Sequence, residues 1–136
     1  MVRLGLRLHL EQHRAILAHV SRWQPEEACG LLAGRGAQVE RVYLVENARH
    51  SLTDYRMDPA QQVSAMLAIE RAGLELIGIF HSHPAGPPRP SATDVDRAYY
   101  PEVVYLIVAP AGARGWLMRG FRIEAGQVNE VPVEVT

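Results

Sequence analysis

The stretch LELIGIFHSHPAGPPRPSATD, residues 74–94, restricts the fold more than any other part of the chain. LELIGIFHSH (74–83) has the length and apolar density of a buried strand. A period of two puts Ile77, Ile79, His81 and His83 on one face and Leu76, Gly78, Phe80 and Ser82 on the other. Pro84, Pro87, Pro88 and Pro90 follow. Each fixes φ, so this loop loses less entropy on ordering than a flexible one. Ser91-Ala92-Thr93-Asp94 then reads as a capping box, with Ser91 as N-cap, opening a short helix from about Ala92 to Tyr99. A strand end, a stiff loop and a helix start must therefore meet in one small region.

The rest of the chain supplies elements to pack around that junction. Val2, Leu4, Leu6, Leu8 and Leu10 alternate with more polar neighbours, as in a half-buried strand. Leu10, Ile16, Leu17 and Val20 suit one face of a helix that runs to Trp23 and stops at Pro25. ACGLLAG (28–34) reads as a buried strand, with a turn at Gly34–Gly36 and a hairpin partner in VERVYLVEN (39–47). Asp58 can cap a helix that begins at Pro59, with Gln61 closing a capping box and Gly73 as its stop. Val63, Met66 and Leu67 form the expected core stripe of that helix. VVYLIVA (103–109) is a buried strand, and GWLMRGFRIE and VNEVPVEV are further strands, turned at Pro110-Ala111-Gly112 and Ala125-Gly126. There is no repeat and no linker. The order predicts a single compact α+β domain over residues 1–136, a curved mixed β-sheet packed by about three helices.

With 136 residues, such a domain buries roughly two-thirds of its unfolded surface and needs no disulfide. Cys29 is the only cysteine, which excludes an internal disulfide and an all-cysteine metal site. The net charge of −1 provides no field for gathering nucleic acid or an anionic membrane. All 14 basic residues are arginine. MVRLGLRLHL is broken by Arg3, Arg7 and His9 and lacks the pattern of a signal peptide. No apolar run approaches the ~18 residues that span a bilayer. These features predict a soluble cytoplasmic protein.

His81 and His83 carry the chemistry. On an extended segment their Cα atoms lie roughly 6.6 Å apart on one side. Two imidazoles so placed can lean onto one ion about 2.0–2.1 Å from each nitrogen. Asp94 is a third ligand if the proline loop folds back. Two histidines, a carboxylate and a water make an open zinc site, in which the water's pKa falls towards about 7. The plainer reading is a strand end followed by a capped helix, and the two readings are compatible. A hydrolytic site also needs a base. Glu26 and Glu27 precede a buried strand, where desolvation would favour proton uptake by one of them; the other reading is a solvated acidic pair. His9, His13, His19 and His50 have no evident acidic or thiol partner at ligand spacing.

These residues resemble the JAMM metalloprotease family, also called MPN-plus. Its pattern is an upstream glutamate, then His-x-His-Pro, six residues, Ser, two residues and Asp. Here it stands as Glu27, His81-Ser82-His83-Pro84, AGPPRP, and Ser91-Ala92-Thr93-Asp94. PEEACGLLAG (25–34), VEN (45–47) and YRMDP (55–59) are similar to further family segments, and the first selects Glu27 over Glu26. The resemblance implies that His81, His83 and Asp94 bind one Zn2+ and that Glu27 is the proton-transferring base. It implies that Ser91 donates a hydrogen bond to the oxyanion, and that Cys29 is a small buried residue. A helix N-terminus there adds a favourable dipole for developing negative charge.

The resemblance also implies hydrolysis of the amide bond after the C-terminal Gly-Gly of a ubiquitin-like or sulfur-carrier protein, one branch releasing cysteine from its carrier. Such a tail can be held extended, by strand addition. A homo-oligomer is compatible with the sequence. A second reading is a non-catalytic MPN-type interaction scaffold, although such relatives typically lack ligands. A zinc nucleobase deaminase would need His-x-Glu and Pro-Cys-x-x-Cys, and neither is present.

Overall fold

The computed structural model describes residues 5–136. Its elements in order are β1 (Leu6–Leu8), α1 (Leu10–Trp23), β2 (Cys29–Arg35), β3 (Gln38–Val45), α2 (Pro59–Arg71), β4 (Glu75–Ser82), α3 (Ala92–Asp96), β5 (Val104–Pro110), β6 (Trp116–Glu124), β7 (Gln127–Val131) and β8 (Val133–Val135). The strands form one sheet in the order β7-β6-β5-β4-β2-β3-β1-β8. β4 pairs parallel with β5, and β1 is parallel to both β3 and β8; the other pairs are antiparallel. β7 and β8 are separated by Pro132 alone yet lie at opposite ends of this order. The sheet must curl until its ends meet. The approach is close: a Cβ added to Gly120 of β6 would lie 2.8 Å from the Val133 side chain.

Each face of the sheet has its own core. On one, Ile16 and Val20 of α1 pack with Leu6, Leu8, Phe80 and Leu106. On the other, Ala65 and Ile69 of α2 cover Leu31, Ile79, Tyr105 and Ile107, with Val95 of α3 packed against them. Gly30 makes room for Phe80: a Cβ there would be 2.2 Å from its ring. Among the described residues no helix is long and apolar enough to cross a membrane.

The structure corrects several sequence-based expectations. Leu10 opens α1 and is exposed rather than ending a strand; Val2 and Leu4 lie outside the described residues. Ile77 does not share a face with Ile79. Leu32 pairs with Gly78 and Ala33 with Leu76, so Ile77 is the extra residue of a β-bulge. The bulge turns its side chain onto the α1 face beside Phe80, because period two holds only along an unbroken ladder. Beyond the bulge the alternation resumes, and Ile79 lies on the α2 face.

The stripe of α2 is also reversed. Val63, Met66 and Leu67 are 59%, 37% and 45% exposed, while Ala65 and Ile69 are buried. Both sets fit helical spacing, and the smaller pair lets α2 lie close to the sheet. Asp58 caps α2 as expected, accepting from the Gln61 N–H at 3.0 Å. The Gln61 side chain instead accepts the Glu46 N–H at 2.8 Å, tying α2 to the end of β3. α3 stops at Asp96, short of Tyr99.

Candidate metal centre

β4 ends with His81 fully buried, between β2 and β5. The Ser82 side chain points away from His81 and accepts the Ala28 N–H at 2.8 Å. The Ser82 N–H donates to the Ala28 carbonyl at 2.9 Å. This double link holds the start of β2, and hence Glu27, beside the end of β4. The His83 N–H donates to the Val108 carbonyl at 2.8 Å, extending the contact with β5.

Three ligand-type atoms converge here. The Nε2 atoms of His81 and His83 are 3.0 Å apart. Asp94 Oδ2 is 3.2 Å from the first and 3.0 Å from the second. Glu27 is buried, and its carboxylate offers an oxygen within 4.8 Å of both imidazoles. The proline loop returns as expected, and α3 delivers Asp94 through its cap. Asp94 Oδ2 accepts the Ser91 N–H at 2.8 Å, and Ser91 Oγ accepts the Asp94 N–H at 3.1 Å. The Ser91 hydroxyl keeps its own proton for another acceptor.

This set suits a metal ion. A carbonyl can only accept, so the 2.8 Å contact between His83 Nδ1 and the Pro87 carbonyl places the ring proton on Nδ1. The His83 Nε2 faces His81 and Asp94, where the Asp94 carboxylate holds a proton on the ring in the metal-free protein and a metal ion could take that proton's place. An outward N–H held by a backbone carbonyl is the usual support of a metal-binding histidine. Two imidazole nitrogens and one carboxylate oxygen form a donor set that a divalent metal ion could use.

The electrostatics separate the two carboxyl groups. Burial pushes Glu27 up to about 8, against the opposing pull of His83, with Asp94 and Asp54 adding to the rise. Burial would also raise Asp94, but hydrogen bonds from His81 and His83 prevail and hold it well below the usual carboxylate range. Burial lowers His81, keeping its ring neutral. One carboxyl group is thus an acceptor of protons and its neighbour a permanent anion.

Several contributors had no assigned role in the sequence, although Asn47 and Tyr55 lie in the family-like segments VEN and YRMDP. Tyr55 stacks on His81, with ring centroids 4.6 Å apart and planes 25° apart. Arg97, just past α3, donates to Asp54 at 2.8 Å. Asn47 is buried against the Glu27 carbonyl. A cavity of about 160 Å³ opens beside His81 and Asp94, walled by Tyr55, Met66, Leu76 and Tyr105.

His50 departs from expectation. Its Nδ1 lies 2.9 Å from Glu26 and its Nε2 3.1 Å from Glu46. Glu26 is therefore a surface partner of His50, an arrangement that only the folding of the 46–51 segment produces. His19 is buried, with Nε2 near the carbonyls of Cys29 and Val45. The Cys29 thiol is buried and donates to the Val45 carbonyl at 3.5 Å.

Fold and site together define a hydrolase with a buried Glu27-His81-His83 cluster able to hold a metal ion, beside Asp94. The sequence pattern of the family described as prokaryotic homologs of the JAB domain matches residues 9–121, and the chain belongs to that family. It is 40% identical over 123 residues to a CysO-cysteine peptidase of Mycobacterium tuberculosis, covering 89% of this chain and 84% of the relative. It is 44% identical over 110 residues to a probable TtuB-protein conjugate cleaving protease of Thermus thermophilus, covering 80% and 71%. A solved protein structure from Desulfitobacterium hafniense superposes with a TM-score of 0.86 at 38% identity, over 96% of this chain and 92% of that one. The chain is a peptidase of this family.

Proposed function

We propose that the chain is a zinc peptidase that hydrolyses the amide bond after the C-terminal Gly-Gly of a ubiquitin-like or sulfur-carrier protein, and that it acts in the cytoplasm as one catalytic domain. The observation that carries this is the convergence of His81, His83 and Asp94 within 3.2 Å beside buried Glu27. The names of the two relatives supply the substrate class: a CysO-cysteine peptidase and a protease of TtuB–protein conjugates. An apolar groove along α2, lined by Val63, Met66, Leu67 and Leu74, runs through Leu76 and Tyr100 into the cavity at His81. Its position suits the body of a carrier whose tail enters the site.

His81, His83 and Asp94 would hold the zinc. When bound, the ion supplies a Lewis acid that polarises the scissile carbonyl and acidifies water. Glu27 takes the proton of the attacking water and passes it to the leaving amine, a task that suits a carboxyl group raised towards neutrality. The Ser91 hydroxyl donates to the developing oxyanion, a contribution of about 2.7–4 kcal/mol for such a donor. Asp94, held anionic, keeps the two rings oriented.

The test uses purified protein and carriers extended beyond Gly-Gly. Cleavage after the second glycine, one zinc per chain and complete loss of turnover with chelator are expected. Glu27→Gln should retain the metal and lose about 10²–10⁴-fold in kcat. A fully active Glu27→Gln variant, or a zinc-loaded protein that cleaves no carrier extension, would overturn the reading.

A further inference from the structure

Residues 47–57 form a strap across the site that touches Glu27 and His81 and is tied to the end of α3 through Arg97. The Glu27 N–H donates to the Ser51 carbonyl at 2.8 Å. The Glu27 carbonyl accepts from Asn47 Nδ2 at 3.0 Å. Both backbone polar groups of Glu27 are therefore held by the strap. Tyr55 of the strap stacks on His81. Asp54 binds Arg97, three residues beyond Asp94, and also pairs with Arg49.

Asn47 is the hub of this strap. It is 4% exposed. Its Nδ2 donates to the carbonyls of Glu27 and Asp54, both at 3.0 Å. Its Oδ1 accepts the N–H groups of Arg49 at 3.0 Å and Arg56 at 3.1 Å. Carbonyls only accept and backbone N–H groups only donate, so the orientation of the amide is unambiguous, and all four of its hydrogen-bonding positions are filled. A side chain used in full, buried, and joining the two ends of the strap to Glu27 has a narrow geometric task. Aspartate lacks the donors, and alanine lacks every bond.

We infer that Asn47 is a positioning residue for Glu27: its amide fixes the strap against the Glu27 backbone and so sets where the carboxyl group stands relative to His81 and His83. This rests on Glu27 being the base in the function proposed above. Asn47 touches no proposed metal-ligand atom, and its most direct link to the site is the Glu27 carbonyl. Misplacing a reacting group by about 1 Å costs on the order of 100-fold in rate.

The test compares the zinc-loaded wild type with Asn47→Ala and Asn47→Asp on a carrier conjugate. The aspartate variant keeps the shape and the acceptor side while removing the donors. Both should lose about 100-fold in kcat, with KM and zinc content unchanged. In a Glu27→Gln background, single-turnover rates should fall no further on replacing Asn47. Losses that multiply in that background, or a kcat that stays near wild type in a folded variant, overturn the inference. So does loss of zinc in parallel with activity, which marks a merely structural role.

Hydrogen exchange of the wild type tests the same link without substitution. The Glu27, Ala48 and Arg56 amides should open as one unit. Exchange of the Glu27 amide with a free energy unrelated to the other two overturns the link. If the wild type cleaves no carrier at all, the proposed function fails. If it cleaves and Glu27→Gln is inactive but Asn47 is dispensable, only this inference fails.

Discussion

The two halves of the site are built on different foundations. His81 lies in the sheet, and Glu27 lies just before it, two residues ahead of β2. Both are buried, β2 and β4 pair along most of their length, and the Ser82–Ala28 link locks their ends together. Asp94 and Ser91 belong to a five-residue helix at the end of a proline loop, and Ser91 is exposed. That half is held by the Ser91–Asp94 cap, the His83–Pro87 contact and the Arg97–Asp54 pair at the surface. The contrast separates what a variant does to folding from what it does to chemistry. A change on the sheet side disturbs the core as well as the site, whereas a change on the loop side should disturb the site and its local cap but leave the core intact.

The largest expected effect tests this division directly. His81→Ala and Asp94→Asn should both abolish turnover and metal retention. They should part in the metal-free protein. His81→Ala empties a fully buried position and should cost about 2–4 kcal/mol in denaturant unfolding. Asp94→Asn should cost less than this, because Asp94 sits on a short loop-side helix and the amide keeps the shape and an acceptor oxygen for the Ser91 N–H. Equal destabilisation by the two would break the comparison.

Ser91 comes next, since it caps α3 and the proposed function also makes it the oxyanion donor. Ser91→Ala should lower kcat by about 10²–10³-fold through loss of the oxyanion donor. It should also cost about 0.5–2 kcal/mol of stability through loss of the cap. Ser91→Thr keeps the cap, so its melting temperature should stay near that of the wild type. A Ser91→Ala variant that loses stability but keeps full kcat would leave Ser91 as a cap only.

The last test is a pH slope. Metal-free Glu27 holds its proton up to about 8, against 4.5 ordinarily. Its contribution to stability is fully present below pH 4.5 and is lost as pH rises from there through about 8, by at most about 1.4 kcal/mol per pH unit. His81, whose pKa is lowered, contributes in the opposite sense over part of this range. The comparison is therefore between wild type and Glu27→Gln under chelation. The wild type should lose stability relative to the variant between pH 5 and 8, and parallel curves would show that Glu27 is not desolvated.

Much of the loop-side half was legible in the sequence, because its information is local. The prolines that stiffen the return, and Ser91 and Asp94 at capping distance, act over a few residues, as does the His-x-His at the end of β4 on the sheet side. The sheet-side half was less legible. Glu26 and Glu27 are chemically alike as neighbours, and family resemblance rather than spacing chose between them. In the fold one meets His50 at the surface and the other lies buried near His83.

By itself, then, the amino-acid order determined the kinds of element, their succession and the donor set brought to the end of β4. Only tertiary structure decided that Ile77 turns to the α1 face, that α2 buries Ala65 and Ile69 in place of its larger apolar stripe, and that Ser82, Asn47 and Tyr55 support the site. The physical reason is range. Periodicity and capping depend on neighbours within a turn or two, whereas a bulge, a choice between two helix faces and a hydrogen bond between residues 54 apart, as from Ala28 to Ser82, depend on which distant surface arrives.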